Sequence, residues 1–387
     1  MDEKKIVIIG GTSGIGLAMA GVLSERKDVH VTVLGRNSSK LDKIQHVTFE
    51  KFDINKDNIS ILQKHLDADA LIITAGIGRL AEFSTFTDCE IEKVINTNCT
   101  SILKIIRLFY PRLQNKKPFY CCVISSITGL LASPLYSVYS ASKAALCKFI
   151  EGVNVELKMT ESANIITNIA PGHLDGTSFE GKETNVERLI PLANKFIAAI
   201  ESRQELYIPK YRECYQAVLA RYHENPLNFG TESYTYKSNT ARINKTPLIK
   251  VGYLSGTFDL FHVGHLNLLK RAKQYCDYLV VGVHKDASHK GKITFIPFEE
   301  RMRIVGSIDV VDRVIESLPE DKDVYDQIIK YDYLFVGSDY KGTERFNRYE
   351  EYFKDKGVQI IYFPYTQGTS STKLRLALDA IVKFAEK

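Results

Sequence analysis

Apolar residues along this chain gather into short, nearly unbroken runs, separated by stretches whose apolar positions recur every three or four residues. Ile6-Val7-Ile8-Ile9 is the first run, followed by a cluster of small residues and a helical pattern from Leu17 to Ser24. Val29 to Leu34 is the second run. A third strand ends at Phe52-Asp53-Ile54, a fourth is Leu71-Ile72-Ile73-Thr74-Ala75-Gly76, and a fifth ends at Cys122-Val123-Ile124-Ser125-Ser126. Short runs without polar alternation predict strands buried on both faces, the habit of parallel sheets covered by helices. A helical pattern from Val186 to Ile200, a strand at Glu205 to Pro209 and a closing helix from Tyr211 to Glu224 complete this unit. From Asn225 to Pro247 aliphatic residues almost vanish in favour of Asn, Thr, Ser, Tyr and Lys, which reads as a linker. The strand–helix rhythm then restarts with Ile249 to Leu254, a helix-like Leu266 to Ala272 and a strand at Tyr278 to Val283. The pattern predicts an α/β protein of two units, residues 1–224 and 248–387, joined by a linker over 225–247.

A length of 387 residues fits two domains better than one. The apolar and charged fractions, 44% and 25%, are those of a soluble globular protein. A net charge of +5 suits small anions, and no basic run with interleaved aromatics points to nucleic acid. No apolar run reaches the ~18 residues of a membrane span. Met1-Asp2-Glu3-Lys4-Lys5 leads directly into a strand, so no signal peptide is expected. Seven cysteines without a CxxC pair read as reduced thiols, and the expected compartment is the cytoplasm.

The turn after the first strand is Gly10-Gly11-Thr12-Ser13-Gly14-Ile15-Gly16. Glycines at 10, 14 and 16 let the backbone turn tightly, admit a pyrophosphate at a helix N-terminus and pack that helix on the sheet. At the end of the second strand, Gly35 is followed by Arg36. A guanidinium there suits a ribose 2′-phosphate, where an acid would select a free 2′-hydroxyl. Thirteen residues after Ser126, Tyr139-Ser140-Ala141-Ser142-Lys143 opens a helix. The YxxxK spacing places phenol and ammonium one turn apart on one face, so Lys143 is expected to lower the pKa of Tyr139.

Together with Pro171-Gly172, these motifs make residues 4 to about 210 similar to the short-chain dehydrogenases/reductases. The resemblance implies a Rossmann-type, doubly wound parallel sheet. It implies NADPH held by Gly10, Thr12, Ser13, Gly14, Ile15, Gly16 and Arg36, with Asp53 beside the adenine. Tyr139, Lys143, Pro171, Gly172 and Thr177 would meet the cofactor too, Thr177 standing one residue later than the usual spacing. So would Ala75 and Gly76, in a stretch where Ile73 and Thr74 replace the two asparagines of the family's NNAG. Catalysis falls to Ser126, Tyr139 and Lys143, with Ser126 holding the substrate carbonyl and Asn98 anchoring a proton-relay water. A homodimer or higher homo-oligomer is also implied.

In the second unit, Gly256-Thr257-Phe258-Asp259-Leu260-Phe261-His262-Val263-Gly264-His265 lies between a strand and a helix. Two imidazoles three residues apart at a helix start lie side by side, able to donate hydrogen bonds to a phosphorus centre gaining negative charge. This GTFDxxHxGH stretch resembles the glycerol-3-phosphate cytidylyltransferase group of the HxGH nucleotidylyltransferases. The resemblance implies a smaller Rossmann-like α/β domain that uses CTP with Mg²⁺, His262 and His265 being catalytic. It also implies strands at Val310 to Val314 and Leu334 to Val336. Nucleotide contacts are expected from Gly256, Thr257, Phe258, Lys290, Lys292, Arg301 and the run Gly368, Thr369, Ser370, Ser371, Thr372, and acceptor contacts from Asp259 and Asp339. Hydroxyls and free N–H groups at a helix start, as in that run, suit nucleotide phosphates. Tyr365 stands where relatives carry an arginine. No protein-held metal cluster is expected.

One substrate class links the halves: a ketose phosphate reduced to an alditol phosphate, which CTP then activates to a CDP-alditol. Ribulose 5-phosphate and CDP-ribitol are the expected pair. CDP-glycerol or another CDP-alditol, and an ATP-using adenylyltransferase with a regulatory reductase-like half, are the alternatives.

Overall fold

The computed structural model describes residues 3–41, 44–177, 184–240, 243, 247–286, 294–364, 374 and 376. The chain divides into two compact units, Met1–Leu248 and Ile249–Lys387.

In the first unit the elements run β1 (Lys4–Ile9), α1 (Gly14–Ser24), β2 (Val29–Gly35), β3 (Val47–Lys51), β4 (Ala70–Ile73), α2 (Asp88–Ile95), α3 (Ser101–Gln114), β5 (Tyr120–Ile124), α4 (Ser137–Met159), β6 (Ile166–Ile169), α5 (Val186–Glu201), β7 (Leu206–Tyr207), α6 (Gln216–Glu224) and α7 (Pro226–Ser238). The strands form one parallel sheet in the order β3-β2-β1-β4-β5-β6-β7. Alternate residues of each strand feed two separate cores. Ile6, Ile8, Val31, Val33, Ile72 and Cys122 pack with Leu17, Met19 and Phe196 of α1 and α5. Val7, Ile9, Leu34, Leu71, Ile73 and Cys121 pack with Ile105, Phe109, Leu146 and Ile150 of α3 and α4. That double burial is why the strands read as unbroken apolar runs. The strand order reverses between β1 and β4, and the crevice at their carboxyl ends is where such sheets bind ligands.

Within the stretch read as a linker, Pro226–Ser238 forms helix α7. Asn225 caps α7 by accepting the Asn228 N–H, and Pro226 occupies its first turn. The helix belongs to the first unit and docks by Lys237, which donates to Ser133 Oγ and to the Pro134 carbonyl at 3.0 Å. Its larger apolar residues, Leu227, Tyr234 and Tyr236, are exposed, so no buried stripe announces it in the sequence.

The second unit runs β8 (Val251–Gly256), α8 (Val263–Tyr275), β9 (Tyr278–Val283), α9 (Phe298–Gly306), β10 (Arg313–Glu316), α10 (Asp321–Gln327), β11 (Tyr333–Gly337), α11 (Glu344–Phe353) and β12 (Gln359–Phe363). Its sheet is parallel, in the order β10-β9-β8-β11-β12, and reverses between β8 and β11. Leu254, Leu279, Val281 and Phe335 pack with Leu269, Ala272 and Val305 on one side. On the other, Tyr253 stacks on Tyr331 at 5.0 Å, and Tyr331 meets Phe353.

Candidate functional sites

At the β1–α1 turn the three predicted glycines divide their work. A Cβ on Gly10 (φ +91°) would lie 2.6 Å from Ala75 N, and one on Gly16 would lie 2.3 Å from Thr74 Oγ1, so both are fixed by close packing on β4. Among the described residues a Cβ on Gly14 (φ +54°) would meet Thr177 Cγ2 at 3.7 Å and Cβ at 3.9 Å, ordinary contact that leaves room at the turn. Ser13 is the N-cap of α1 but its side chain makes no capping bond, so the first N–H groups of the helix keep their donor capacity. This cradle fits a pyrophosphate. Thr12 packs beside Gly35, where a Cβ would approach Thr12 Cγ2 to 2.5 Å. Arg36 is exposed just beyond the end of β2, and no carboxylate pairs with it among the described residues. Asp53 follows the adjoining β3 and accepts the Asn55 N–H at 3.0 Å.

The reacting side chains converge at the ends of β4 and β5. Asn98 lies in a π-helical turn, Asn96–Thr100, between α2 and α3, a distortion that recurs at functional sites. Its Oδ1 accepts the Ile77 N–H at 2.8 Å, and its Nδ2 donates to the Ile77 carbonyl and to Ser142 Oγ. A side chain at Gly76 would stand 3.4 Å from both Asn98 Oδ1 and Lys143 Nζ, so Gly76 keeps the opening between them. Lys143 is buried and donates to the Ile124 carbonyl at 2.9 Å. Ser126 Oγ accepts from the Thr128 N–H and hydroxyl, and Tyr139 shares a hydrogen bond with Ser126.

One expectation is corrected here. Burial pushes Tyr139 up to about 12, with the Ser126 hydrogen bond pulling the other way. Burial also draws Lys143 down to about 8, partly opposed by the thiols of Cys147 and Cys99. The ammonium is aimed at the Ile124 carbonyl, 5.9 Å from the Tyr139 ring centre, so desolvation outweighs its pull on the phenol.

Pro171 and Gly172 follow β6. The Pro171 carbonyl accepts the Ile127 N–H, and the Tyr215 hydroxyl occupies the space a Gly172 side chain would take. Tyr215, Ser142 and Thr74 therefore help shape this site without having been chosen from the sequence. Ser142, inside the YxxxK stretch, and Thr74, beside Ala75 and Gly76, carried signals that could have found them, and Tyr215 carried none.

In the second unit His262 is the N-cap of α8. Its Nδ1 accepts the Gly264 N–H at 3.0 Å, while its own backbone N–H donates to His265 Nδ1 at 3.4 Å. The rings stack with centroids 4.0 Å apart. A ring nitrogen that accepts carries no proton, so each imidazole carries its N–H on Nε2. Burial, then the neighbouring His262, lowers His265 to about 4, and burial lowers His262 as well. Both are neutral donors at neutral pH. Phe258 (φ +52°) and Leu260 (φ +50°) flank Asp259 in a strained turn. The Phe258 ring lies 5.3 Å from His265 and fills the place of a Gly256 side chain. Thr257 Oγ1 is buried without a hydrogen-bond partner among the described residues, an orphan that fits a polar ligand.

Two predicted contacts take other roles. Arg301 is fully buried and gives its donors to the carbonyls of Ile296, Thr257, His284 (2.8 Å) and Lys285 (2.7 Å). It holds the backbone around the site with four of its five N–H groups. Asp259 is buried, and its carboxylate accepts the N–H groups of Phe295 and Ile296, positioning that segment ahead of α9. Asp339 is exposed just past β11, at the same carboxyl edge of the sheet as the histidines. Lys290, Lys292 and the run Gly368 to Thr372 lie outside the described residues. Among the described residues no helix is long and apolar enough to cross a membrane, and no three His, Cys, Asp or Glu side chains gather to hold a metal.

Comparison with known proteins gives each unit its relatives. Residues 4–187 match the family described as short chain dehydrogenase, and residues 253–377 the one described as cytidylyltransferase-like. Glycerol-3-phosphate cytidylyltransferase of Bacillus spizizenii is 38% identical over 123 residues, 31% of this chain and 90% of that enzyme. An uncharacterised oxidoreductase of Listeria monocytogenes is 31% identical over 181 residues, 43% of this chain and 72% of that protein. The crystal structure of a short chain dehydrogenase/reductase from Burkholderia phymatum in complex with NAD shares the fold at a TM-score of 0.51 and 18% identity, covering 59% of this chain and 95% of its own.

Proposed function

We propose that this chain, which belongs to the short chain dehydrogenase family over residues 4–187 and to the cytidylyltransferase-like family over residues 253–377, reduces a ketose phosphate with NADPH and converts the product into a CDP-alditol. The observation that carries this reading is a complete carbonyl-reducing set and a paired-imidazole phosphoryl set in one polypeptide.

NADPH, when bound, supplies the hydride. Ser126 holds the carbonyl oxygen, and Tyr139, protonated at neutral pH because burial raises it to about 12, gives that oxygen its proton. Lys143 and Asn98 flank Gly76 and hold the proton path and the cofactor side of the pocket. Arg36, exposed at the end of β2, favours the extra phosphate of NADPH over NADH.

In the second unit a phosphate oxygen of the alditol phosphate attacks the α-phosphorus of CTP. The bond from that phosphorus to the bridging oxygen breaks, and pyrophosphate leaves. The Nε2–H groups of His262 and His265 donate to the oxygens that gain charge. Mg²⁺ belongs to this reading as the companion of the CTP phosphates.

Ribulose 5-phosphate, giving ribitol 5-phosphate and CDP-ribitol, is the preferred pair. Glycerol 3-phosphate has a general supply from lipid metabolism, so a dedicated reductase would add little to its activation. Tyr365 in place of the relatives' arginine is in keeping with a different acceptor. The test supplies NADPH and CTP with a panel of ketose phosphates and weighs the product by mass spectrometry. The reading predicts a CDP-pentitol from ribulose 5-phosphate; faster NADPH oxidation with dihydroxyacetone phosphate would replace it with CDP-glycerol.

A further inference from the structure

Helix α7 lies beyond the stretch that matches the short chain dehydrogenase family, and it brings one cation to the reductase site. Lys237 donates to Ser133 Oγ and to the Pro134 carbonyl, and its Nζ lies 5.6 Å from the centre of the Tyr136 ring. The Tyr136 ring is in turn 5.7 Å from that of Tyr139. Ser133, Pro134 and Tyr136 belong to the loop that joins Ser126 to Tyr139, so Lys237 rests on the segment spanning the two reacting groups.

The electrostatics of this lysine are unbalanced. An ammonium has three donors, and the described residues accept two of them, both through neutral oxygens. No carboxylate pairs with Lys237 among the described residues. Burial lowers its pKa to about 8. A half-buried cation held by neutral acceptors costs stability unless an anion completes it.

We infer that Lys237 binds the phosphate of the reductase substrate, making α7 the element that selects phosphorylated over plain ketoses. This rests on the ketose phosphate reading above. With the carbonyl at Ser126 and Tyr139, the phosphate at the far end of a short open-chain sugar reaches along the Tyr136 side of the loop toward Lys237. The third N–H of the ammonium then donates to a phosphate oxygen, while Ser133 and Pro134 keep the lysine aimed.

The test is steady-state NADPH oxidation by the full chain with ribulose 5-phosphate and with ribulose. The readout is the ratio of the two kcat/KM values for the unaltered protein, Lys237→Gln and Lys237→Arg. A lost charge-assisted contact lowers that ratio roughly ten- to a hundredfold in Lys237→Gln, chiefly through KM, with partial recovery in Lys237→Arg. Inorganic phosphate should inhibit the unaltered protein competitively and Lys237→Gln much less. A lysine that merely fastens α7 would weaken both substrates alike and leave the ratio unchanged, which overturns the assignment while the ketose phosphate reading stands. An unaltered protein that does not prefer the phosphorylated sugar overturns both.

Discussion

His262 passes its backbone N–H to the ring of His265 while its own ring accepts the N–H of Gly264, so one helix cap fixes both imidazoles. Capping and chemistry use opposite nitrogens of the same rings. The cap holds each Nδ1 as an acceptor, and each Nε2 keeps the hydrogen that a phosphoryl oxygen needs.

A pH prediction follows. With His265 lowered to about 4 and His262 lowered too, neither ring changes charge near neutrality. The kcat/KM of cytidylyl transfer should therefore be level, as far as histidine is concerned, from about pH 6.5 to 8. A steep limb centred near the ordinary histidine value of about 6.5 would show that an imidazolium takes part.

Reduction should behave differently. Lys143 titrates at about 8 and is cationic below that value, while Tyr139 keeps its proton up to about 12. Both groups carry their protons on the acid side, so kcat/KM for the ketose should fall as pH rises through about 8, and a level profile to pH 9.5 or so would remove Lys143 charge from the mechanism.

Arg36 is the residue proposed to select the cofactor. Its guanidinium is exposed and free of acidic partners among the described residues. NADPH should be preferred over NADH by roughly ten- to a thousandfold, and Arg36→Ala should weaken NADPH much more than NADH. Equal kcat/KM for the two cofactors in the unaltered protein would contradict this.

Arg301→Met should damage the transferase from beneath. The change leaves the buried carbonyls of Thr257, His284 and Lys285 without their donor. A stability loss of about 2–4 kcal/mol is expected for unfolding of the second unit, with a raised KM for CTP. Arg301→Lys should recover little, because one ammonium cannot replace a fork spread over four carbonyls. An unchanged unfolding midpoint would refute the clamp.

The central strands of both sheets were legible because they are buried on two faces and carry no polar alternation, as Val7, Ile8 and Ile9 illustrate, whereas β6 and the half-exposed β12 were not read and β10 begins at Arg313, later than expected. Tyr139, Lys143, His262 and His265 were legible because chemistry ties them together at fixed spacings. Arg301 and Asp259 were placed at the site, yet their function there is to hold backbone, and a sequence does not distinguish a guanidinium on carbonyls from one on phosphates. Helix α7 was missed because polar residues that read as surface, Lys237 and Glu232, help to fasten it, and its one partly covered aromatic, Phe229, makes no stripe. The pKa of Tyr139 was misjudged for a related reason: spacing brings Lys143 close, but burial and the Ile124 carbonyl decide where its charge acts.

The central claim is that one chain carries two complete and separate catalytic sets. Measuring both activities in Tyr139→Phe and His265→Ala variants of the full chain tests it most directly. Tyr139→Phe should abolish NADPH oxidation while leaving cytidylyl transfer to supplied ribitol 5-phosphate intact. His265→Ala should lower transfer by ~10²–10³ in kcat and leave reduction unchanged. Loss of both activities from either substitution, in a protein that remains folded, would contradict the account.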